Sequence, residues 1–314
     1  MLLKILSFFV SLILFAGAGQ MPEPYSPADS ENLKCSAVIL SDMHIETNNF
    51  DRFPRAGKIL AGVANASVSP DVVGFTGDNT MNGQSIEWFD FYGFVNRYIK
   101  DSRILMCFGN HDFGNCADHD TYVKLRKRCI EKYKTYCGES IDEVYYSRDI
   151  KGCRFIVLGS EDNAENTVEV ITDKQIRWLS DQLAECREKN MPVIVLNHNL
   201  IYGRNGSRSY WDFNQTTNND ALDHALQDSG ATVLFVCGHS HFGVNEGSVS
   251  REGKVTYVNL PSTGNTGNYE AEGEYADCGV GIYIEVYEGR MILSFRNFAK
   301  GIALEGYDNI EISL

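Results

Sequence analysis

The sequence predicts an α/β fold in which two sheets pack face to face inside flanking helices, a four-layer αββα sandwich. Two observations carry this. Short apolar runs of strand length alternate with longer stretches of helical periodicity, as expected for strands joined by helical crossovers in a mostly parallel sheet. No internal repeat, low-complexity linker or composition break interrupts the alternation, so residues 35–314 read as one domain. With 314 residues, 43% of them hydrophobic and 22% charged, the chain is large enough to bury such a core.

The elements follow in order. Cys35 to Ser41 reads as a buried strand, Arg52 to Ala64 as a helix, Asp71 to Thr76 as a second strand. Ser85 to Lys100 carries Trp88, Phe89, Phe91, Tyr92 and Val95 at helical spacing, and Arg103 to Phe108 is the third strand, completing a βαβαβ start. Residues 116–140 read as a charged helical insertion, and Glu143 to Gly159 as a hairpin turning near Asp149 to Gly152. Thr172 is a candidate cap for a helix reaching Asn190. The strand Val193 to Leu196 follows, then the helix Asn219 to Ser229 and the strands Thr232 to Cys237 and Lys254 to Leu260. Val280 to Arg296 reads as a hairpin turning at Glu288-Gly289-Arg290.

Lys+Arg 28 against Asp+Glu 42 leaves a net charge of −14, which argues against nucleic-acid polymers and anionic membranes as partners. Small phosphoesters stay possible if bound metal supplies local positive charge. Lys4, the apolar run Ile5 to Phe15 and Ala16-Gly17-Ala18 resemble a cleaved secretory signal over residues 1–18, with an uncleaved anchor as the other reading. The mature chain is then expected outside the cytoplasm, secreted or periplasmic, without stable membrane insertion, and residues 19–34, with Pro22, Pro24 and Pro27, form an exposed leader. Nine cysteines are an odd count in a chain too large to be a disulfide scaffold. A bridge among Cys116, Cys129 and Cys137 is compatible with an oxidising compartment, with the pair left open.

Five short sequences share one placement, each directly after a predicted strand: Asp42-Met43-His44, Gly77-Asp78-Asn79, Gly109-Asn110-His111-Asp112, Asn197-His198 and Gly238-His239-Ser240-His241. In open α/β sheets, ligands bind at the carboxyl ends of the strands, so these loops should converge on one rim. Imidazole and carboxylate suit a pair of divalent or trivalent ions such as Mn, Fe or Zn. None of the five motifs contains a cysteine, against a thiolate zinc or iron–sulfur site.

In this order the five motifs resemble the calcineurin-like metallophosphoesterase superfamily, the match running from Asp42 to His241. The resemblance implies that Asp42, His44 and His241 hold one metal, that Asn110, His198 and His239 hold the other, and that Asp78 bridges the two. It implies that His111 is catalytic, contacting phosphoryl oxygens or protonating the departing alkoxide, with Asp112 orienting it. The activity implied is hydrolysis of small, nucleotide-type phosphodiesters by in-line attack of a metal-bridging hydroxide. Phosphomonoester hydrolysis is the alternative, and a catalytically silent metal-binding module the third reading.

Absences narrow the branch. Met81-Asn82-Gly83 stands where phosphoprotein phosphatases of the superfamily carry Asp-Arg-Gly, and Met81 stands where purple acid phosphatases carry an iron-binding tyrosine. The pattern is nearer to bacterial-type phosphodiesterases. Substrate contacts are expected from Asn79 and from the loop Asn199 to Phe213, whose Tyr202, Arg204, Arg208, Tyr210 and Trp211 could stack on a base or pair with phosphate. The Gly- and Asn-rich stretch 261–268 is expected to border the same rim.

Overall fold

The structure, a computed structural model, describes residues 23–49, 51–114, 116, 118–165, 168–204, 216–264 and 278–314. The strands are β1 (Cys35–Leu40), β2 (Val72–Phe75), β3 (Arg103–Met106), β4 (Tyr146–Ile150), β5 (Cys153–Val157), β6 (Asn163–Glu165), β7 (Val168–Glu169), β8 (Val193–Leu196), β9 (Val233–Cys237), β10 (Val249–Glu252), β11 (Val255–Asn259), β12 (Val280–Tyr287), β13 (Arg290–Asn297), β14 (Ile302–Ala303) and β15 (Ile310–Ser313). The helices are α1 (Arg52–Ala64), α2 (Ser85–Tyr98), α3 (His119–Cys137), α4 (Asp173–Glu188) and α5 (Asn219–Gln227).

Two mixed sheets form the centre. The first runs β14-β13-β12-β1-β2-β3, with β15 on β13; the second runs β10-β11-β9-β8-β5-β4. Within them β1, β2 and β3 are parallel, as are β5, β8, β9 and β11, while β12–β13, β4–β5 and β10–β11 are antiparallel hairpins.

Side-chain alternation in the second sheet produces the layers. Phe155, Val157, Ile194, Leu196, Leu234 and Val236 join the core shared with the first sheet. Their neighbours Ile156, Val193, Val195, Val233 and Phe235 join a separate core with Leu179 and Leu183 of α4 and Leu222 and Leu226 of α5. Period-two alternation therefore sends one set inward and the other against the outer helices. On the far side, Ile59, Leu60 and Val63 of α1 and Trp88, Phe91 and Val95 of α2 pack in the larger core, giving the four αββα layers that the sequence predicts.

Local sequence sets the helix starts. The Thr172 hydroxyl accepts from Gln175 N–H, and Gln84 and Glu87 form a reciprocal capping box on α2. The Asp118 carboxylate accepts from Thr121 N–H, and α3 ends on Gly138 at φ 74°, a conformation that favours glycine.

Three expectations change. Residues 23–34 are not a free leader: the Tyr25 side chain is buried, its hydroxyl donates to Val63 O at 2.7 Å, and its ring meets Tyr283 and Phe298 edge-on. No disulfide joins Cys116, Cys129 or Cys137 among the described residues; the Cys116 and Cys129 sulfurs face the carbonyls of Asp118 and Asp112, at 3.4 and 3.9 Å. Finally, β10, β14 and β15 are added at the outer parts of the two sheets, and β6 and β7 pair as a separate two-stranded sheet, all too short or too polar to stand out as apolar runs. No helix among the described residues is long and apolar enough to cross a membrane. The proposed signal lies outside the described residues.

Candidate metal centre

The five motifs leave the carboxyl ends of β1, β2, β3, β8 and β9 and meet over the seam between the two sheets. Their backbone is unusual. Asp42, His44, Asp78, His239 and His241 have φ between 44° and 64°, and they make up five of the eight non-glycine residues with positive φ among those described. Such a conformation costs about 1–3 kcal/mol per residue and concentrates at functional sites. Here it turns each side chain back over the strand ends.

Crowding explains two glycines. A Cβ on Gly109 would lie 2.2 Å from Asp78 Oδ1 and 2.6 Å from His198 Nε2. A Cβ on Gly77, itself at φ 107°, would lie 2.5 Å from His198 Nδ1.

The side chains form two groups sharing one carboxylate. Asp42, His44, Asp78 and His241 place one potential ligand atom each within 4.8 Å of one another, as do Asp78, His198 and His239. Asp78 faces both, with Oδ2 at 3.8 Å from His44 Nε2 and Oδ1 at 3.4 Å from His198 Nε2. In the first group His241 Nε2 lies 3.0 Å from His44 Nε2 and 3.1 Å from Asp42 Oδ1. In the second, His198 Nε2 lies 3.1 Å from His239 Nδ1 and 3.1 Å from Asn110 Oδ1. The tautomer of His198 is set from behind, because its Nδ1 donates to Thr76 O at 2.8 Å, leaving Nε2 for the centre.

This donor set fits metal ions. All the atoms are nitrogen or oxygen, the groups are almost wholly buried, and ring nitrogens converge where a cation would relieve their mutual repulsion. Burial lowers the His44 and His239 pKa values to about 3, so both are neutral imidazoles. Burial works against ionisation of Asp42 and Asp78, but the nearby histidines, His241 for the first and His198 for the second, hold both carboxyls below the usual range. Burial works against a charge on His198, but the Asp78 carboxylate outweighs it and raises the pKa to about 10. A second ring of groups fixes the ligands, Asp42 Oδ2 accepting from the Ser41 hydroxyl and from His239 N–H.

His111 lies beside this centre rather than in it. Its ring stands perpendicular to His44 with centroids 4.8 Å apart, and its Nδ1 pairs with Met81 O at 2.7 Å. Met81 O therefore orients His111, and Asp112 does not. The Asp112 carboxylate turns away and accepts from five donors: the N–H groups of Asn79, Thr80 and Gly109, the Asn79 amide and the Thr80 hydroxyl. It ties the β2 loop to the β3 loop. Burial, followed by the nearby Asp78 charge, raises its pKa to about 6.

Two expected substrate contacts are committed elsewhere. Asn79 is fully buried, its amide donating to Cys107 O and Asp112. The Arg204 guanidinium pairs with Asp223 and Glu252 and lies over the Tyr257 ring. Tyr202 is half exposed, and its N–H donates to Asn219 at the start of α5. Arg208, Tyr210 and Trp211 lie outside the described residues, as do residues 265–268. The roles of Thr76, Met81 and Ser41 carry no sequence signal: the first two act through backbone carbonyls, and a serine before an aspartate is not distinctive.

Residues 36–243 match the model of the calcineurin-like phosphoesterase family. A probable cyclic nucleotide phosphodiesterase of Rhodococcus erythropolis is 28% identical over 154 residues, 47% of this chain and 46% of that protein. The match thus spans about half of each. A dimetal phosphatase from Danio rerio shares the fold with a TM-score of 0.61 at 14% identity, covering 90% of this chain and 99% of that one. The inner-membrane-complex anchor GAP50 of Plasmodium does so at 0.57 and 16%, covering 88% of this chain and 89% of that one. The chain belongs to the calcineurin-like phosphoesterase family.

Proposed function

We propose that the protein is a metal-dependent hydrolase of small phosphodiesters, with two ions held around Asp78. The observation carrying this is the sharing of the Asp78 carboxylate by two buried ligand groups, one on each oxygen. Asp42, His44 and His241 would complete the first ion's shell, and Asn110, His198 and His239 the second's. When bound, such a pair supplies an activated water and neutralises charge on the phosphoryl oxygens.

The chain's own residues do the rest. His111, anchored through Nδ1, presents Nε2 as a proton donor to the departing alkoxide. The Met81 carbonyl accepts from Nδ1–H and keeps the ring from turning away. Preference for a diester over a monoester is supported by Arg52, which lies against the Met81 sulfur at 3.0 Å and is paired with Glu46 at 3.3 Å. A singly charged diester asks for less compensation than a monoester dianion. The name of the Rhodococcus relative supports the same class. The net charge of −14 disfavours polymeric nucleic acid, and residues 1–18 support export.

The test compares bis(4-nitrophenyl) phosphate, 4-nitrophenyl phosphate and cyclic nucleotides after loading with Mn²⁺, Zn²⁺ or Fe²⁺. Diester turnover at least tenfold above monoester turnover is expected. The reverse ratio would make the protein a phosphomonoesterase, and no turnover of either would leave a metal-binding module.

A further inference from the structure

At the edge of the sandwich opposite the metal centre, Cys35 opens β1 in the first sheet and Cys153 opens β5 in the second. Both are free thiols in the structure and buried, and the Cys35 side chain meets that of Cys153 across the sheet interface. An independent clamp holds these strand starts together. Asp71 Oδ2 accepts from the N–H of Ser36, next to Cys35, at 2.9 Å, and Asp71 Oδ1 pairs with Lys151, two residues before Cys153, at 2.7 Å.

We propose that Cys35 and Cys153 are the site of a disulfide that staples the two sheets together. Nothing in the phosphoesterase reading requires this bond, and it touches none of the metal ligands. The oxidant is a disulfide of the glutathione or thiol-oxidoreductase class. The thiolate of one cysteine attacks it to give a mixed disulfide, and the second cysteine displaces the carrier thiol. Two protein thiols lose two electrons and two protons, and the oxidant is reduced to two thiols. Contact with Cys153, then burial, pushes the Cys35 thiol pKa up. Oxidation is therefore slow in the finished fold and belongs to the stage at which the strands first meet. Closing a loop of roughly 100 residues restricts the unfolded chain strongly, so the bond should raise stability substantially.

The full chain is produced by export to an oxidising compartment, alkylated under denaturing conditions without reductant, digested and analysed by mass spectrometry. The expected product is a single peptide pair joining Cys35 to Cys153, two hydrogens lighter than its parts and lost on reduction. Alkylation of both residues as free thiols, or a bond from either to another cysteine, would overturn the proposal. In a second readout, phosphine reduction should lower the thermal midpoint of the intact protein by about 10 °C and leave the Cys35→Ser/Cys153→Ser variant unmoved. An equal fall in that variant would equally overturn it. Should the variant not fold, the peptide result on the unaltered chain decides.

Discussion

The Asp78 carboxylate accepts a hydrogen bond from the backbone N–H of His111 at 2.9 Å. The oxygen involved, Oδ1, is the one that faces His198. The residue shared by both ligand groups thus also positions the loop carrying the proposed proton donor, coupling metal occupancy to the placement of His111.

Asp78→Asn should lower the bound metal from two ions per chain to one or none and cut turnover at least 10³-fold, in keeping with loss of charge stabilisation at a two-metal site. Metal analysis after dialysis, run beside a steady-state assay, measures both. Full occupancy with unchanged rate would mean that Asp78 does not bridge.

His111→Ala should keep both metals and reduce kcat by about 10²–10⁴, the range for a lost general acid. The loss should be largest for poor leaving groups, because a good leaving group departs without a proton. A uniform loss across a series of aryl and alkyl esters would assign His111 to phosphoryl binding instead.

Asp112→Asn separates a structural role from a catalytic one. One carboxylate oxygen becomes an NH₂ group facing donors, leaving buried groups unsatisfied at a cost of about 2–4 kcal/mol. The thermal midpoint should fall by about 5–10 °C. An unchanged midpoint with a large loss of kcat would restore the orienting role first expected of Asp112.

Glu169, buried on β7, accepts from the Asn197 amide at 2.7 Å, and burial raises its pKa to about 7. A carboxyl whose folded pKa exceeds its unfolded value near 4.5 favours folding while protonated. Its contribution is complete below pH 4.5 and lost as pH rises through 7. Glu169→Gln keeps an acceptor for Asn197 and removes the titration. The variant should be more stable at pH 8 by up to about 3 kcal/mol, with a flatter profile between pH 4.5 and 7. Denaturant melts at several pH values provide the check, and parallel profiles for both proteins would contradict it.

The metal centre was legible in the sequence because each ligand sits in a short motif directly after an apolar run, and strand ends in such sheets share a rim. Side-chain direction was not. Asn79 and Asp112 are polar residues beside ligands, as an exposed substrate contact would be, but their loops turn them toward each other and away from the centre. Tyr25 reads as part of an exposed leader because its partners Tyr283 and Phe298 come from the other end of the chain, out of reach of any local pattern. The division of parallel strands between two sheets was equally hidden, since Val72–Phe75 and Val193–Leu196 are both short buried runs with nothing to mark their sheet.

Anomalous diffraction from crystals of the metal-loaded protein tests the central claim most directly. The account predicts two peaks on either side of the Asp78 carboxylate, roughly 3.5–4 Å apart, one beside Asp42, His44 and His241 and the other beside Asn110, His198 and His239. A single peak, or ions bound away from Asp78, would contradict it.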